Sequence, residues 1–339
     1  MWKVLLLTLL PALAHANCQI INLANKRGLA KCRGNPTDFD WEQISIQRTQ
    51  RVEFSNLDID LLQLPATVAK LNIEDIRISK SKIKAIDPNF FSASSNGMSY
   101  IGLNQVELPE PLTRQHFNGL QDSLTQLILH NSVILEPDAL EGMKKLVKLS
   151  IKDSPMTKYP TNLGQLLQQG IEKVEFVNTR IQTFPWASIV TWLNQDVAGS
   201  KGVIDLTDSP LHCDETLKEM HTFIHNKENS KARLEGFKCA SPEIFRDRYL
   251  NQISSEELAK VTEPVPKMED IPYDQFESKP NDGKREDTGP AEVKDTVNKG
   301  SMSLITLAIF GGVLLFAIIL IIAVIMIKRS RSNKYKGHT

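Results

Sequence analysis

The sequence predicts an α/β solenoid, and two observations carry that expectation: a short apolar phrase that recurs at a steady interval, and four cysteines placed two and two outside it. The phrase is an apolar residue, two free positions, then two apolar residues flanking one free position, with a small residue three further on. Its clearest copies are Leu124-Thr125-Gln126-Leu127-Ile128-Leu129 with Ser132 and Ile134, Leu146-Val147-Lys148-Leu149-Ser150-Ile151 with Ser154 and Met156, and Ile171-Glu172-Lys173-Val174-Glu175-Phe176 with Thr179 and Ile181. Weaker copies surround Val52 and Phe54, Ile76 and Ile78, Ile101 and Leu103, and Ile204 and Leu206. The closing positions Leu57, Ser81, Val106, Ser132, Ser154, Thr179 and Ser209 step by roughly 22 to 30 residues, and such a period marks stacked units, none of which can bury its apolar side alone.

Over roughly residues 17 to 260 this pattern resembles the leucine-rich repeat. The resemblance implies a horseshoe of about seven repeats over residues 49–208, with disulfide caps at both ends, in residues 17–48 and 209–261. Most members of that family carry Asn at the closing position, where its amide bonds the backbone of a tight turn. Here Ser or Thr stands there five times and an aliphatic residue twice. A hydroxyl makes fewer such bonds and Leu57 or Val106 none, so those two turns are expected to be irregular. An ordinary α/β domain with chance alternation is the competing reading, and the register held through every copy argues against it.

Before the first repeat lie Cys18 and Cys32, followed by Trp41 and the strand-like Ile44-Ser45-Ile46; after the last lie Cys213 and Cys239. In an oxidising compartment local pairs Cys18–Cys32 and Cys213–Cys239 are favoured, because a solenoid holds its ends apart. The run Ser209-Pro210-Leu211-His212-Cys213-Asp214, then Leu234-Glu235-Gly236-Phe237-Lys238-Cys239-Ala240-Ser241-Pro242, resembles the flanking domain that closes many extracellular leucine-rich repeat proteins. That domain usually has four cysteines. Glu215 stands at its second position and the fourth falls near Lys260, so both partners of one bridge are absent together. The competing reading is a zinc site of Cys213, His221, His225 and Cys239, since histidines four apart share a helix face. Otherwise both histidines are expected on the solvated side of their helix.

The remaining segments read as membrane topology. Residues 1–16 run from Lys3 through apolar Val4 to Leu13 into Ala14-His15-Ala16, the pattern of a signal peptide cleaved before Asn17. Residues 262–300 are poor in aliphatics and rich in Pro, Asp, Glu and Lys, as expected of a disordered stalk. Within it Tyr273, in Glu269-Asp270-Ile271-Pro272-Tyr273-Asp274-Gln275-Phe276-Glu277, has the acidic surroundings of a sulfation candidate. Residues 301–327 hold no charge and suffice for one transmembrane helix across about 30 Å of hydrocarbon. Lys328, Arg329, Arg331, Lys334 and Lys336 in the tail 328–339 then face the cytosol and contact membrane lipid, which makes the chain a single-pass type I protein of the plasma membrane with its N-terminus extracellular. Ala308 and Gly312 have the spacing that lets membrane helices approach, for a lateral membrane partner or a homodimer.

Function is expected on the free positions of the repeats, which period-two alternation sends to the concave sheet. These are Glu53, Arg77, Tyr100, Gln126, Ile128, Lys148, Ser150, Lys152, Lys173, Glu175 and Asp205. The middle of that set is modestly basic and favours acidic partners. With 40 Lys+Arg against 40 Asp+Glu and no basic stretch interleaved with aromatics, composition disfavours a nucleic-acid partner. No phosphate-binding glycine loop, metalloprotease helix or nucleophile elbow is present, nothing in the sequence sets an acid beside a base, and neither an enzyme nor a cofactor is expected. The leading expectation is a cell-surface receptor or adhesion molecule that binds an extracellular or cell-surface protein, as the resemblance implies. The alternative is an auxiliary subunit of a membrane channel or receptor, acting through the transmembrane helix and basic tail.

Overall fold

In the computed structural model the described residues are 17–266, without 23–27, 48, 66–70, 95–96, 132, 196–201 and 227–232. An 11-stranded sheet organises them. Its path runs β1 (Cys18–Asn22), β2 (Gly28–Arg33), β3 (Thr49–Ser55), β5 (Asp75–Ile86), β6 (Tyr100–Glu107), β7 (Gln126–His130), β8 (Lys148–Lys152), β9 (Lys173–Val177), β10 (Val203–Asp205) and β12 (Arg233–Glu235), while β4 (Asp58–Leu62) pairs with the second half of β5. Only β1 runs antiparallel, to β2; the rest of the path is parallel. Strands β3 and β5 to β10 are the expected repeats, and the sheet extends beyond them into both caps through β2 and β12.

Register follows from the apolar pattern. Val52, Ile76, Ile101, Leu127, Leu149, Val174 and Ile204 lie side by side across the sheet, and Phe54, Ile78, Leu103, Leu129, Ile151 and Phe176 form the rank two residues on. Each is at most 1% exposed. Slipping one strand by a single residue would turn its whole apolar set out to water, so burial fixes the alignment.

Every repeat shares one backbone device, after the strand at β3, β7, β8, β9 and β10 and within the strand at β5 and β6. Asn56, Lys80, Gln105, Asn131, Asp153, Asn178 and Asp208 all adopt φ between 49° and 63°, each immediately before a closing position. The expected irregularity at Leu57 and Val106 is absent, because both side chains are buried in the core and the turn does not depend on them. The Leu57 amide instead donates to Ser81 Oγ in the next unit (3.1 Å), and that hydroxyl donates to Ser79 O (2.8 Å). Ser154 donates to Val133 O (2.7 Å), and Ser209 Oγ, 2.9 Å from Thr179 Oγ1, donates to Phe176 O (2.8 Å). These hydroxyls are buried, so each bond also satisfies a polar group that water cannot reach. Ser132 lies outside the described residues.

At the N-terminal end the Cys18–Cys32 disulfide joins directly opposed residues of β1 and β2. Ile44-Ser45-Ile46 is not a strand: it ends helix α1 (Asp38–Ile46). Thr37 caps that helix with Asp40, whose carboxylate accepts from the amides of Thr37 (2.8 Å) and Cys18 (3.0 Å), and this local capping overrides the β-branched residues. Trp41 then packs on Phe54 and Phe90 over the open end of the stack. Short helices α2 (Phe90–Ser94), α3 (Leu163–Gln168) and α4 (Trp186–Asn194) lie between strands, with Phe91, Leu166 and Ile189 buried.

The C-terminal cap holds β11 (Leu211–His212) and β13 (Cys239–Ser241), which pair in parallel, and helices α5 (Lys218–His225) and α6 (Ser255–Leu258). The Cys213–Cys239 disulfide ties it, so these sulfurs do not form a thiolate zinc site. His221 is buried rather than solvated: Nε2 lies 2.6 Å from Ile253 O and Nδ1 3.2 Å from Ser255 Oγ, which joins α5 to the start of α6. Glu215 and Lys260, at the family's other two cysteine positions, are both exposed.

Among the described residues no helix is long and apolar enough to cross a membrane. The expected signal peptide of residues 1–16, Tyr273, the expected membrane segment 301–327 and the basic residues after it lie outside the described residues, as does most of the expected stalk.

Gly236, at φ 80°, directly follows β12 and abuts the backbone after β10, where a Cβ would lie 2.0 Å from Thr207 N and 2.2 Å from Leu206 C. Gly236→Ala is therefore expected to cost about 3 kcal/mol or more, because backbone must move. Gly34→Ala, at φ 70° but facing open space, should cost only about 1–2 kcal/mol. Denaturant midpoints of the two variants measure the difference; equal losses would show that the cap junction tolerates a side chain.

Candidate functional site

The sheet's outward face, expected to be concave, is built as three rows running across the strands. Arg51, Asp75, Tyr100, Gln126, Lys148 and Lys173 form one, Glu53, Arg77, Gly102, Ile128, Ser150, Glu175 and Asp205 the next, and Ser55, Ser79, Asn104, His130, Lys152 and Val177 the third. All eleven expected residues fall in these rows. Arg51, Asp75 and His130 belong with them and were not singled out from the sequence; the signal was their distance from the apolar pair, which is that of Lys148 or Lys152.

Two acids organise the face. Asp75 bonds Arg51 (2.7 Å) and accepts from Arg77 Nε (3.0 Å), while the Arg77 guanidinium lies 4.5 Å from the Tyr100 ring centroid. The Tyr100 ring in turn lies over Gly102, where a Cβ would stand 2.8 Å from Cε1. Glycine's missing side chain thus makes the seat for the aromatic, and Arg77 stacks on it, a pairing of types that carry binding energy at protein interfaces.

The second acid changes the expected picture. Glu175 does not merely interrupt a basic patch; its side chain is 5% exposed and lies under Lys152 Nζ (3.0 Å), Lys173 Nζ (3.2 Å) and Lys148 Nζ (3.9 Å). Burial pushes its pKa up, but the Lys152 hydrogen bond and the Lys152 and Lys173 charges outweigh this and hold the carboxyl below its ordinary value. Ser150, beside it, is also buried, with Oγ 3.0 Å from His130 Nε2. Neither Glu175 nor Ser150 is a freely offered contact, and Asp205 is committed too, accepting from the amide (3.0 Å) and hydroxyl (2.6 Å) of Thr207.

In the cap His212 lies between Ser241, which is distant in sequence, and Asp214, two residues on: its Nδ1 is 2.8 Å from Ser241 Oγ and its Nε2 3.7 Å from Asp214 Oδ2. At 1% exposure this imidazole is closed to a substrate and ties β11 to β13. Among the described residues no group of three or more His, Cys, Asp or Glu is placed to hold a metal ion.

Parallel strands in one register, a left-handed residue in each repeat and a disulfide at each end fit a leucine-rich repeat solenoid. No family model and no curated protein matches the sequence. Among solved structures the chain is similar to human 5T4 (Wnt-activated inhibitory factor 1, trophoblast glycoprotein) at 18% identity and a TM-score of 0.46, over 72% of this chain and 97% of that one. It is also similar to a chain of the octameric complex of latrophilin 3 (Lec, Olf), Unc5D (Ig, Ig2, TSP1) and FLRT2 (LRR), at 14% identity and a TM-score of 0.35, over 64% and 85% of the two chains.

Glu175→Gln removes the shared anion and is expected to destabilise the fold by about 2 kcal/mol near neutral pH. Because the folded pKa lies below the ordinary 4.5, this contribution is present above about pH 4.5 and disappears as pH falls through the lower folded value. Unfolding free energies of wild type and variant should therefore converge in acid; a gap that stays constant with pH would exclude the charge as its cause.

Proposed function

We propose that the chain is a cell-surface recognition protein whose sheet face binds another extracellular or cell-surface protein. The observation that carries this is the three rows of outward side chains, held in fixed register across six or seven strands with Tyr100 and Ile128 near their middle and Arg77 stacked on Tyr100. At about 4.8 Å per strand the rows span roughly 30 Å, the scale of a protein contact rather than a metabolite. Two disulfides fit an oxidising compartment, and with the apolar segment 301–327 and the basic residues after it they support an extracellular, single-pass type I arrangement.

A second reading rests on that membrane segment. Its uncharged run, with Ala308 and Gly312 spaced for close helix approach and a basic tail following, suits an auxiliary subunit that works laterally on a channel or receptor. Proximity labelling on living cells, comparing the full chain with a chimera whose residues 262–339 are replaced by a lipid anchor, separates the two. Extracellular partners that persist in the chimera support recognition by the sheet face; a multi-span partner lost with the native helix supports the lateral reading.

For a partner so identified, Tyr100→Ala is expected to weaken binding at least about tenfold, as loss of a central aromatic contact does. Gln165→Ala, exposed on helix α3 away from the sheet face, should leave it unchanged. Surface plasmon resonance decides; the reverse ranking would place the contact elsewhere on the solenoid.

A further inference from the structure

We propose that β1 is a docking edge for a second copy of this chain, and that two molecules pair β1 to β1, antiparallel, about a two-fold axis at Ile20. This contact uses the end of the sheet and stands apart from recognition by the sheet face.

The hydrogen-bond pattern shows which backbone groups are open. Strand β1 ends the path of the large sheet and pairs only with β2, with Cys18 opposite Cys32, Ile20 opposite Ala30 and Asn22 opposite Gly28. The Arg33 amide donates to Asn17 O (3.0 Å), so Asn17, Gln19 and Ile21 turn their backbone groups to β2 and the residues between turn theirs outward. Cys18 follows the same alternation, since its amide donates away from β2 to Asp40 Oδ1 (3.0 Å). The carbonyl of Cys18 and both backbone groups of Ile20 and Asn22 face out with no partner among the described residues.

The other edges of this sheet are protected. On β4, Asn35 covers Asp58: its Oδ1 accepts from the Asp58 amide (2.9 Å) and its Nδ2 donates to the Asp58 carbonyl (2.8 Å), while Asp58 and Asp60 charge the strand. At the far end β12 is only three residues long and carries Arg233 and Glu235. Covers, charges and short strands are the means by which sheets avoid edge-to-edge pairing. Residues 17–22 hold neither a charge nor a proline.

That uncharged run points to the same strand as its partner. A charged residue in β1 would approach its own copy across a two-fold axis, whereas these residues meet their copies without repulsion. With Ile20 opposite the partner's Ile20, the pair exchanges two N–H···O bonds, and at each flank an Asn22 amide donates to the partner's Cys18 carbonyl. Only the Cys18 amides are left out of this register, and Asp40 already holds them. Cys18 and Ile20 pack on their own core, which leaves Gln19 on the outward face, opposite the partner's Ile21 at the closer spacing of a pair without hydrogen bonds. One strand pair is a narrow contact beside the roughly 1,200 Å² of a stable interface. The dimer is therefore weak, and it is favoured where copies are held close together, as the apolar segment 301–327 would hold them.

The test uses the full chain on living cells with p-benzoylphenylalanine in place of Gln19, an exposed position. Illumination is expected to give a species of twice the chain's mass, with the link mapped at or beside the partner's Ile21. Ile20→Pro removes both central donors and spares the β1–β2 ladder, because proline is tolerated where the amide faces away from its sheet. Cross-linking should then fall at least about tenfold, with the Cys18–Cys32 disulfide and the surface level unchanged. In a chain without the photo-reactive residue, Gln19→Lys with Ile21→Lys sets lysines opposite one another and should abolish co-precipitation of two differently tagged copies. This pair decides should Ile20→Pro not fold. Absence of a cross-linked dimer, links to other proteins alone, or a dimer insensitive to both variants overturns the proposal. Self-association kept in the lysine variant but lost in Gly312→Leu would place it in the apolar segment and overturn it as well.

Discussion

Everything on the sheet face depends on how the chain leaves each strand. The residue directly after β3, β7, β8 and β9 takes a left-handed conformation, and its amide donates to the next unit: Asn56 to Ser79 O (3.2 Å), Asn131 to Lys152 O (2.9 Å), Asp153 to Val177 O (2.9 Å) and Asn178 to Thr207 O (2.8 Å). Gly34, at φ 70°, does the same from the N-terminal cap to Ser55 O (2.9 Å). The turn is therefore also a rung of the ladder, and it locks the register of adjacent repeats where each strand stops. Because a slip of one residue would exchange the two faces, this hydrogen bond fixes both the buried ranks and the outward rows.

The same device explains why the closing position tolerates Ser, Thr, Leu and Val. Asn or Asp occupies five of the seven left-handed sites, and their short polar side chains accept that conformation more readily than most. With the backbone bend supplied one residue earlier, the closing side chain is left with two tasks, filling space and satisfying nearby backbone groups. Leu57 and Val106 do the first, and the hydroxyls of Ser81, Ser154, Thr179 and Ser209 do both.

Much of this was legible in the residues. The apolar period locates the seven repeat strands and their inward residues, since burial enforces it; it also orients the free positions. The left-handed turns are less legible, because the small-residue pattern marks the closing position and not the residue before it, where Asn56, Asn131, Asp153, Asn178 and Asp208 recur. At Ile44-Ser45-Ile46 the β-branched residues point to a strand, whereas the capping pair of Thr37 and Asp40 at the start of the same segment decides for a helix. Burial of Glu175 was beyond reach, for it depends on lysines from two neighbouring strands, and no spacing within one repeat reveals which long side chains will bend over an acid.

That last feature bears on what kind of surface this is. An acid buried beneath cations is a poor route to stability, since desolvating the charges offsets much of their attraction. Asp75 and Glu175 occupy different rows on strands far apart in the sheet, yet each gathers basic side chains from its own and adjoining strands. Between them the outward residues include no Lys, Arg, Asp or Glu: Tyr100, Gly102, Asn104, Gln126, Ile128 and His130. The face therefore presents two fixed cationic clusters separated by an aromatic and aliphatic centre. Long lysines and arginines scattered on a solvated surface would sample many positions and favour no partner geometry. Tethered to buried acids at set strand positions, they offer charges at a spacing dictated by the sheet, which favours a partner whose acids are spaced to match and disfavours one that is merely acidic.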